Sequence, residues 1–407
     1  MREIGIIWRI FMLSLCVCST ALRSHRHGRE LDTEKVLSNA HEEHHHHHHH
    51  HHHLNFTQII NDPNTTSLEK LDRTLRLVSG VYHDTTNIDK KILEKINNTV
   101  IVTSCNYGFI NHLLNFKCFM DRLNMKFIVM ALDRATHSYL TQNTSIVSYY
   151  MDNGQINEIV GTSQEFRSKQ FNLITAKKKE VVHYIMELGY DVLFSDTDVA
   201  IVRDPFPYML WNDVDYVHSL NSMCTAATPI ANLVVGRNEG NTGFYYVKSN
   251  KKTLKLWKDA FDAALKQTKL DDQAIFWRVV RTSADPIVLQ LGRCRNYEGK
   301  NSVEAGVTNV YREGVDHLVS CYLDECLFSS GMLSRRWVPE MTYETLIEVL
   351  NLKNESICAL HCNYMSGNKA KMDRMQEYGF WISGNKEEAL GPASGTCEPY
   401  VPKNVTL

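Results

Sequence analysis

The stretch Tyr190–Pro207, YDVLFSDTDVAIVRDPFP, contains the pattern that decides the fold. Its first apolar run, Val192–Phe194, is short, rich in β-branched and aromatic residues, and followed by polar residues, which is typical of a buried strand. Asp196 and Asp198 come directly after that run. Because open α/β sheets bind ligands at the carboxyl ends of their strands, we expect both carboxylates to lie in a binding site.

Two carboxylates one residue apart suit a divalent metal ion. Carboxylate oxygens are the hard ligands that Mg²⁺ and Mn²⁺ prefer, and substrate phosphates fill the rest of the coordination shell. The sequence contains no GxGxxG or GxxxxGK[ST] loop that would hold phosphates through backbone N–H groups. The pair therefore predicts a metal-bridged phosphate ester at the edge of an α/β sheet, although Asp-x-Asp also occurs by chance in polar loops.

Strands and helices alternate on both sides of this stretch. Short apolar runs predict strands over 100–103, 127–132, 192–194, 214–217 and 244–247. Helical spacing of apolar residues predicts helices over 109–123, 171–188, 253–265 and 274–280. This rhythm indicates an α/β fold in which helices cover a parallel sheet.

Composition and charge fit an ordinary globular protein. The chain has 407 residues, 43% hydrophobic and 22% charged, which is enough for one large domain or two ordinary ones. Its net charge of −2 gives no electrostatic reason to expect a nucleic-acid partner.

The N-terminal segment predicts entry into the secretory pathway. Residues 10–22 are apolar and follow Arg2 and Arg9, which fits either a cleaved signal peptide or a membrane anchor. Basic residues also follow the segment, so the charge distribution does not favour an anchor with a cytoplasmic N terminus. Glycosylation sequons support the luminal route. They lie at Asn55, Asn64, Asn97, Asn143, Asn354 and Asn404.

The cysteine count fits an oxidising compartment. Two of the eleven cysteines lie in the leader, which leaves nine and therefore at least one without an intramolecular partner. The pairs Cys321–Cys326 and Cys358–Cys362 are candidates for local bridges. The same spacings resemble half zinc sites, but hydrophobic neighbours and the oxidising context favour disulfides or buried thiols.

Three further motifs follow the Asp pair in order. Asn241-Thr242-Gly243-Phe244 starts a predicted strand, Asp271-Asp272-Gln273 opens a predicted helix, and HCNYMSGNKAK occupies 361–371. With the Asp pair, these motifs resemble a nucleotide-diphospho-sugar transferase of glycosyltransferase family 77 over residues 99–383, and more distantly the glycogenin-like transferases. The resemblance implies a GT-A fold, a Rossmann-like nucleotide-binding sheet with helices on both faces in a single catalytic domain. It also implies sugar transfer with retention of anomeric configuration.

The resemblance implies roles for individual residues. Asp196, Asp198 and His361 would bind the metal, and an imidazole beside two carboxylates favours Mn²⁺ over Mg²⁺. Asp272 and Gln273 would be the catalytic residues beside the anomeric carbon. The nucleotide and donor sugar would contact Thr103, Asn106, Asp133, Lys177, Asp196, Asn241, Gly243, Gly367 and Lys371, with Lys178 or Lys179 as alternatives to Lys177.

These residue types suit the chemistry of breaking a sugar–phosphate bond. The metal would stabilise the leaving diphosphate as a Lewis acid, and Lys371 would add a fixed positive charge. Front-side attack and double displacement, with Asp272 as the nucleophile, both remain open. Asp271 and Asp272 also fit a helix N-cap and first turn.

The implied partners are a UDP sugar, with galactose, xylose or arabinose as the sugar, and a glycan or glycoprotein acceptor. The implied location is the Golgi lumen, membrane-anchored through the N terminus, or the secreted fraction. The predicted segments are a leader or anchor (1–22), a stem (23–98) with ten consecutive histidines (44–53), the catalytic domain (99–383) and a C-terminal tail (384–407). We interpret the histidines as a low-complexity spacer or an inserted tag.

Two other functions fit parts of the pattern. An apolar strand followed by Asp-x-Asp also resembles the nucleophile motif of haloacid-dehalogenase-type phosphatases, although Val199 replaces the small residue usual after the second Asp. A luminal sugar-binding protein without turnover would keep the same fold. Phosphate release from a phosphoester without any sugar nucleotide distinguishes the first alternative, and the absence of EDTA-sensitive nucleotide-sugar hydrolysis distinguishes the second.

Overall fold

The run Val192–Phe194 is buried on both sides, as a central strand requires. Leu193 packs into one hydrophobic cluster, whereas Val192 and Phe194 pack into another, and all three side chains are fully buried. The split arises because successive side chains of a strand point to opposite faces of the sheet. A strand covered on both faces therefore has a continuous apolar run instead of an alternating one.

The computed structural model describes residues 66–151, 168–210, 212–221, 224, 240–267, 270–294, 314–331, 343–352, 356–384 and 396–400. Their strands are β1 (Thr99–Cys105), β2 (Ile128–Ala131), β3 (Val147–Tyr150), β4 (Asp191–Ser195), β5 (Val199–Ile201), β6 (Tyr216–Leu220), β7 (Gly240–Val247), β8 (Val288–Arg293), β9 (Leu318–Tyr322), β10 (Phe328–Ser330) and β11 (Ala359–His361). The helices are α1 (Ser67–Val78), α2 (Lys90–Ile96), α3 (Ile110–Arg122), α4 (Arg134–Asn143), α5 (Lys169–Glu187), α6 (Lys251–Lys266), α7 (Asp272–Thr282), α8 (Tyr343–Leu352) and α9 (Asn368–Glu377).

The larger sheet has eight strands in the order β3-β2-β1-β4-β7-β6-β9-β8. Strands β1 to β4 are mutually parallel, so their carboxyl ends lie at one edge. Strand β7 is the exception to the predicted parallel arrangement, because it runs antiparallel to both β4 and β6. Ser195 is registered with Phe244, so the start of β7 lies beside the end of β4.

Helices cover both faces of this sheet, which confirms the predicted α/β fold class. On one face, α1, α5, α6 and α7 contribute side chains such as Leu75, Val182, Trp257 and Phe276 to the same cluster as Phe194. On the other face, α3, α8 and α9 contribute to the cluster that contains Leu193. The buried apolar area of both faces stabilises the sheet that positions the site.

A second sheet of three strands has the order β10-β11-β5. Strand β11 is antiparallel to β5, with His361 registered with Val199. Strand β4 belongs to the large sheet and β5 to the small one, so Asp196–Asp198 is the connection between the two sheets. As a result, β7 of the large sheet and β11 of the small sheet both lie beside Asp196–Asp198.

Residues on both sides of the predicted catalytic domain pack with the folded structure. Leu71 and Leu75 of α1 are fully buried, and Asp72 accepts a hydrogen bond from Tyr190 Oη at 2.9 Å. Within the predicted stem, the part from α1 onward therefore packs on the folded unit. In the described part of the predicted tail, Tyr400 stacks on Phe380.

The disulfides join residues that are far apart in the sequence. They are Cys118–Cys397, Cys224–Cys326 and Cys294–Cys321, and Cys105, Cys358 and Cys362 are buried free thiols. The predicted local bridges Cys321–Cys326 and Cys358–Cys362 are therefore wrong. The prediction that at least one cysteine stays unpaired is confirmed.

The candidate leader over 1–22 and the histidine run lie outside the described residues. Among the helices that are described, none combines the length and the apolar character that crossing a membrane requires. Asn97 and Asn143, the two sequon asparagines in the described ranges, are exposed.

Candidate active site

A cavity of about 600 Å³ lies at the carboxyl edge of the large sheet. Its walls come from both sheets and from the amino ends of two helices, α7 and α9. Most of the predicted site residues line it. These are Asn106, Asp196, Asp198, Asn241, Gly243, Asp272, Gln273, His361, Gly367 and Lys371.

Asp196, Asp198 and His361 converge in this cavity. His361 Nε2 lies 3.3 Å from Asp198 Oδ1 and 4.0 Å from Asp196 Oδ2. One ligand atom from each residue lies within 4.8 Å of the others. Cys362 N–H donates to Asp198 O at 2.9 Å, so the backbone of the small sheet fixes the distance between the Asp pair and His361. Two carboxylates and an imidazole are a donor set that suits Mn²⁺, so these residues fit the predicted metal.

Gly243 allows the side chains of Asp196 and His361 to come this close. A Cβ atom at residue 243 would lie 2.5 Å from Asp196 Oδ2 and 2.5 Å from His361 Cε1. A carbon atom such as Cβ forms no hydrogen bond and does not come that close to an unbonded atom in a folded protein. Asn241 Oδ1 accepts a hydrogen bond from Gly243 N at 2.6 Å, which fixes the strand at this point. The absence of a side chain at Gly243 therefore leaves room for Asp196 and His361.

Two lysines pair with the Asp carboxylates. Lys371 Nζ lies 2.6 Å from Asp198 Oδ2, and Lys178 Nζ lies 2.5 Å from Asp196 Oδ1. Burial alone would raise the pKa of Asp198, but Lys371 and His361 outweigh burial, so the pKa of this carboxyl lies well below its ordinary value. Burial lowers the pKa of Lys178 and of Lys371, yet the neighbouring carboxylates outweigh it and both pKa values are raised. Both ammonium groups are therefore charged at neutral pH.

Asp272 is held by two donors on one of its oxygens. Lys179 Nζ donates to Asp272 Oδ2 at 2.9 Å, and Thr242 Oγ1 donates to the same oxygen at 3.0 Å. Burial favours the neutral carboxyl, but Lys179 and Lys178 outweigh it and lower the pKa of Asp272. The carboxylate is thus fixed in orientation and ionised. Asp271, the residue before it, caps α7 by accepting from Ala274 N at 2.9 Å.

Lys177 does not line the cavity. Of the three adjacent lysines considered for the donor site, Lys178 lines it. The Lys177 ammonium lies 2.7 Å from Glu180 Oε2, and both side chains are buried. Residues of an α-helix differ by about 100° in direction at each step, so neighbours on α5 face different surroundings. Lys178 lines the cavity, and Lys179 reaches Asp272.

Thr103 and Asp133 lie near the site but do not line it. Thr103 is fully buried inside β1, which extends two residues further than predicted, so Ser104, Cys105 and Asn106 reach the cavity instead. Asp133 caps α4 by accepting from Thr136 N at 2.8 Å, and its second oxygen accepts from Tyr107 N at 2.9 Å. Both oxygens of its carboxylate therefore accept hydrogen bonds from backbone N–H groups.

The structure adds three polar or aromatic residues that the sequence did not single out. Asn221 and Asn363 line the cavity and hydrogen-bond to each other, with Asn363 Nδ2 donating to Asn221 Oδ1 at 3.0 Å. Tyr364, next to Asn363, also lines the cavity. Asn363 and Tyr364 lie inside the 361–371 motif, so the sequence pattern could have indicated them as site residues. Asn221 follows the predicted strand over 214–217 and had no such signal.

Known proteins with similar sequences are sugar transferases. The family model described as nucleotide-diphospho-sugar transferase matches residues 122–375, more than half of the chain. The β-arabinofuranosyltransferase RAY1 of Arabidopsis thaliana is 24% identical over 70% of this chain and 48% of its own length. The UDP-galactose:fucoside α-3-galactosyltransferase of Dictyostelium discoideum is 23% identical over 74% of this chain and 45% of its own.

A third relative matches over more of its own length. The UDP-D-xylose:L-fucose α-1,3-D-xylosyltransferase 3 of Arabidopsis thaliana is 23% identical over 84% of this chain and 81% of its own. The chain spans about half the length of the first two relatives. The extent of the family match, together with the cavity described above, shows that the chain belongs to the nucleotide-diphospho-sugar transferase family.

Proposed function

We propose that this protein is a metal-dependent, retaining glycosyltransferase that moves a sugar from a UDP sugar to a glycan or glycoprotein acceptor. The observation that carries the proposal is the convergence of Asp196, Asp198 and His361 in one cavity, with Lys178 and Lys371 beside them. Retention is supported by the resemblance of the motifs to glycosyltransferase family 77. The phosphatase alternative loses its support, because the family match covers the Asp pair and the later motifs together.

The cavity suits an anionic diphosphate. Lys371 and Lys178 supply two ammonium groups, and the amino end of α9 begins directly after Gly367. Gly367 has a φ of 85°, in the left-handed region that favours glycine, and this turn directs the amino end of α9 toward the cavity wall that Gly367 and Lys371 share. The partial positive charge of a helix amino end adds to that of the lysines.

The cation would be held by Asp196, Asp198 and His361, and Mn²⁺ is the ion that this donor set favours over Mg²⁺. When bound, it would supply Lewis-acid stabilisation to the leaving diphosphate. Lys371 stabilises negative charge on the same group through its fixed ammonium.

Asp272 acts on the other side of the breaking bond. Its ionised carboxylate, oriented by Lys179 and Thr242, stabilises the positive charge that develops at the anomeric carbon. Gln273 and Asn241 line the same wall and bind hydroxyl groups of the donor sugar. In the overall reaction the acceptor oxygen bonds to the anomeric carbon, and the electron pair of the broken C–O bond leaves with UDP. The acceptor hydroxyl passes its proton to the leaving diphosphate in the same process.

The names of the relatives indicate which substrates to test first. The galactosyltransferase and the xylosyltransferase both use UDP sugars and both act on fucose. We therefore propose UDP-galactose, UDP-xylose and UDP-arabinose as candidate donors and a fucosylated glycan as the first acceptor to try.

We also propose that the protein works in the secretory pathway, in the Golgi lumen or after secretion. The three disulfides among the described residues support an oxidising compartment. The exposed sequons at Asn97 and Asn143 and the N-terminal leader are consistent with the same route.

The test is UDP release from a panel of UDP sugars in the presence of Mn²⁺, with and without EDTA. We expect EDTA to abolish release, and Asp198→Asn to lower it by about 1000-fold or more, because the metal site loses one charged ligand. Asp373→Asn, which changes an exposed carboxylate on α9, is the matched control. Wild-type turnover in Asp198→Asn, or a wild-type protein that releases UDP from no member of the panel, contradicts the proposal.

A further inference from the structure

Three asparagine side chains at the cavity are locked in one orientation. Gly243 N–H donates to Asn241 Oδ1, and Gly331 N–H donates to Asn363 Oδ1, each at 2.6 Å. A backbone N–H can only donate, so the oxygen of each amide must face it. The Nδ2 groups of Asn241 and Asn363 therefore point the other way, and both donate to Asn221 Oδ1, at 2.8 and 3.0 Å.

This arrangement fixes the amide of Asn221 as well. Its oxygen accepts from two neighbours, so its Nδ2 group, with two N–H donors, is directed away from them. Among the described residues, none accepts a hydrogen bond from this nitrogen. Asn221 lines the cavity and is partly exposed. The protein thus presents a preoriented amide donor to a ligand.

An aromatic ring lies beside that donor. Tyr364 lines the cavity, is 39% exposed, and donates from its hydroxyl to the backbone oxygen of Asn221 at 3.3 Å. Its φ of 61° is in the left-handed region, which a tyrosine rarely adopts. Residues held in such conformations cluster at ligand sites, where the surrounding structure enforces them. Here the hydroxyl anchor keeps the ring at the mouth of the cavity.

We propose that Tyr364 and Asn221 bind the terminal sugar of the acceptor glycan, an inference that rests on the proposed function. A sugar has an apolar face of C–H groups that packs on an aromatic ring, and hydroxyl oxygens that accept from an amide. In the proposed function the diphosphate binds at the inner end of the cavity, near Lys371 and Asp198. Asp198 is only 3% exposed. The terminal acceptor sugar is attached to the rest of its glycan, and that glycan must stay outside the cavity. The terminal sugar therefore binds at the exposed rim, where Tyr364 lies.

The experiment measures KM for the acceptor and for the donor separately. The probes are the methyl glycosides of α-L-fucose, β-D-galactose and β-D-xylose, assayed with the UDP sugar that the wild-type protein uses. Tyr364→Ala raises KM for the acceptor about 10-fold or more, because the packing surface is lost, and changes KM for the donor by less than about 3-fold. Tyr364→Phe, which keeps the ring, has a smaller effect on KM for the acceptor.

Asn221→Asp tests the amide donor without disturbing its neighbours. A carboxylate still accepts from Asn241 and Asn363 but has no N–H to offer, so KM for the acceptor rises about 10-fold. Tyr184→Ala on α5, a partly exposed tyrosine outside the cavity lining, is the control for removing a ring. Circular dichroism of each variant checks the fold.

The outcomes separate this inference from the function on which it rests. A wild-type protein that releases UDP from no UDP sugar contradicts the proposed function. If the wild type turns over but Tyr364→Ala keeps its acceptor KM within about 2-fold, only the acceptor site is wrong. If it hydrolyses the donor but uses no methyl glycoside, a single terminal sugar is not the ligand.

Discussion

Lys179 Nζ lies 2.9 Å from Asp272 Oδ2, and only 3% of the Lys179 side chain is exposed. Lys179 does not line the cavity and reaches it only through the carboxylate that it orients. The pair makes Asp272 a permanent anion in a site where burial alone would favour the neutral acid.

Replacing Lys179 by Met should therefore change the pH dependence of transfer. The pKa of Asp272 is depressed in the folded protein, so loss of Lys179 raises it and moves the acid limb of the kcat profile to higher pH. We expect kcat at neutral pH to fall about 10-fold or more. Stability should fall by about 3–5 kcal/mol, because a buried carboxylate loses its partner.

Lys177→Met provides the matched control for that experiment. Lys177 is the neighbouring buried lysine and pairs with Glu180 away from the cavity. Its loss should lower stability, as measured by urea unfolding, and leave the pH profile in place. An equal shift of the profile in both variants would show that the effect of Lys179 is only structural.

Lys371→Met should separate metal binding from catalysis. Lys371 Nζ pairs with Asp198 Oδ2 at 2.6 Å and competes with a cation for the same oxygen. Without the lysine, Mn²⁺ should bind about 10-fold more tightly in the absence of donor, since one positive charge is removed beside the ligands. Transfer should fall about 100-fold, because the diphosphate loses a fixed charge. Titration calorimetry with Mn²⁺ and initial rates measure the two effects, and unchanged or weaker Mn²⁺ binding would contradict the competition.

Gly243→Ala should damage the metal site and spare the fold. The added methyl group would lie 2.5 Å from both Asp196 Oδ2 and His361 Cε1, so the two ligands must move apart. We expect Mn²⁺ affinity and transfer to fall about 100-fold, within the range that supporting residues of metal sites show. Far-UV circular dichroism should stay unchanged. Wild-type Mn²⁺ affinity in this variant would show that the close contact is not needed.

Loss of the disulfide between Cys118 and Cys397 should destabilise the protein. The bridge closes a loop over a sequence separation of 279 residues and joins α3 to the segment that follows the predicted domain. The double replacement Cys118→Ser and Cys397→Ser should lower the free energy of unfolding by about 2–5 kcal/mol. Thermal unfolding with and without reductant provides the measurement, and equal midpoints for wild type and variant would contradict it.

The sequence predicted the strand Val192–Phe194 and the grouping of the Asp pair with His361 because their signals are local. A short apolar run, an Asp pair and a late His motif each fit within a few residues, and the structure brings them together as expected. The sequence did not predict that β7 runs antiparallel to β4, because strand direction depends on packing and not on residue types.

The errors have physical causes that one sequence does not reveal. The choice of Lys177 over Lys178 depends on helix phase, which changes by about 100° per residue. Thr103 was placed at the end of a strand that continues to Cys105. The disulfide between Cys118 and Cys397 links residues whose proximity exists only in the folded chain.

The connection Asp196–Asp198 has a mechanical consequence. Asp196 follows a strand of the large sheet, and His361 ends a strand of the small sheet, so a bound cation is a cross-link between two separate hydrogen-bonded layers. Occupancy of the ligands should then slow amide hydrogen exchange in β5 and β11, at positions that never touch the substrate. Binding of the ion should therefore make the junction between the two sheets more rigid, in addition to its proposed role in sugar transfer.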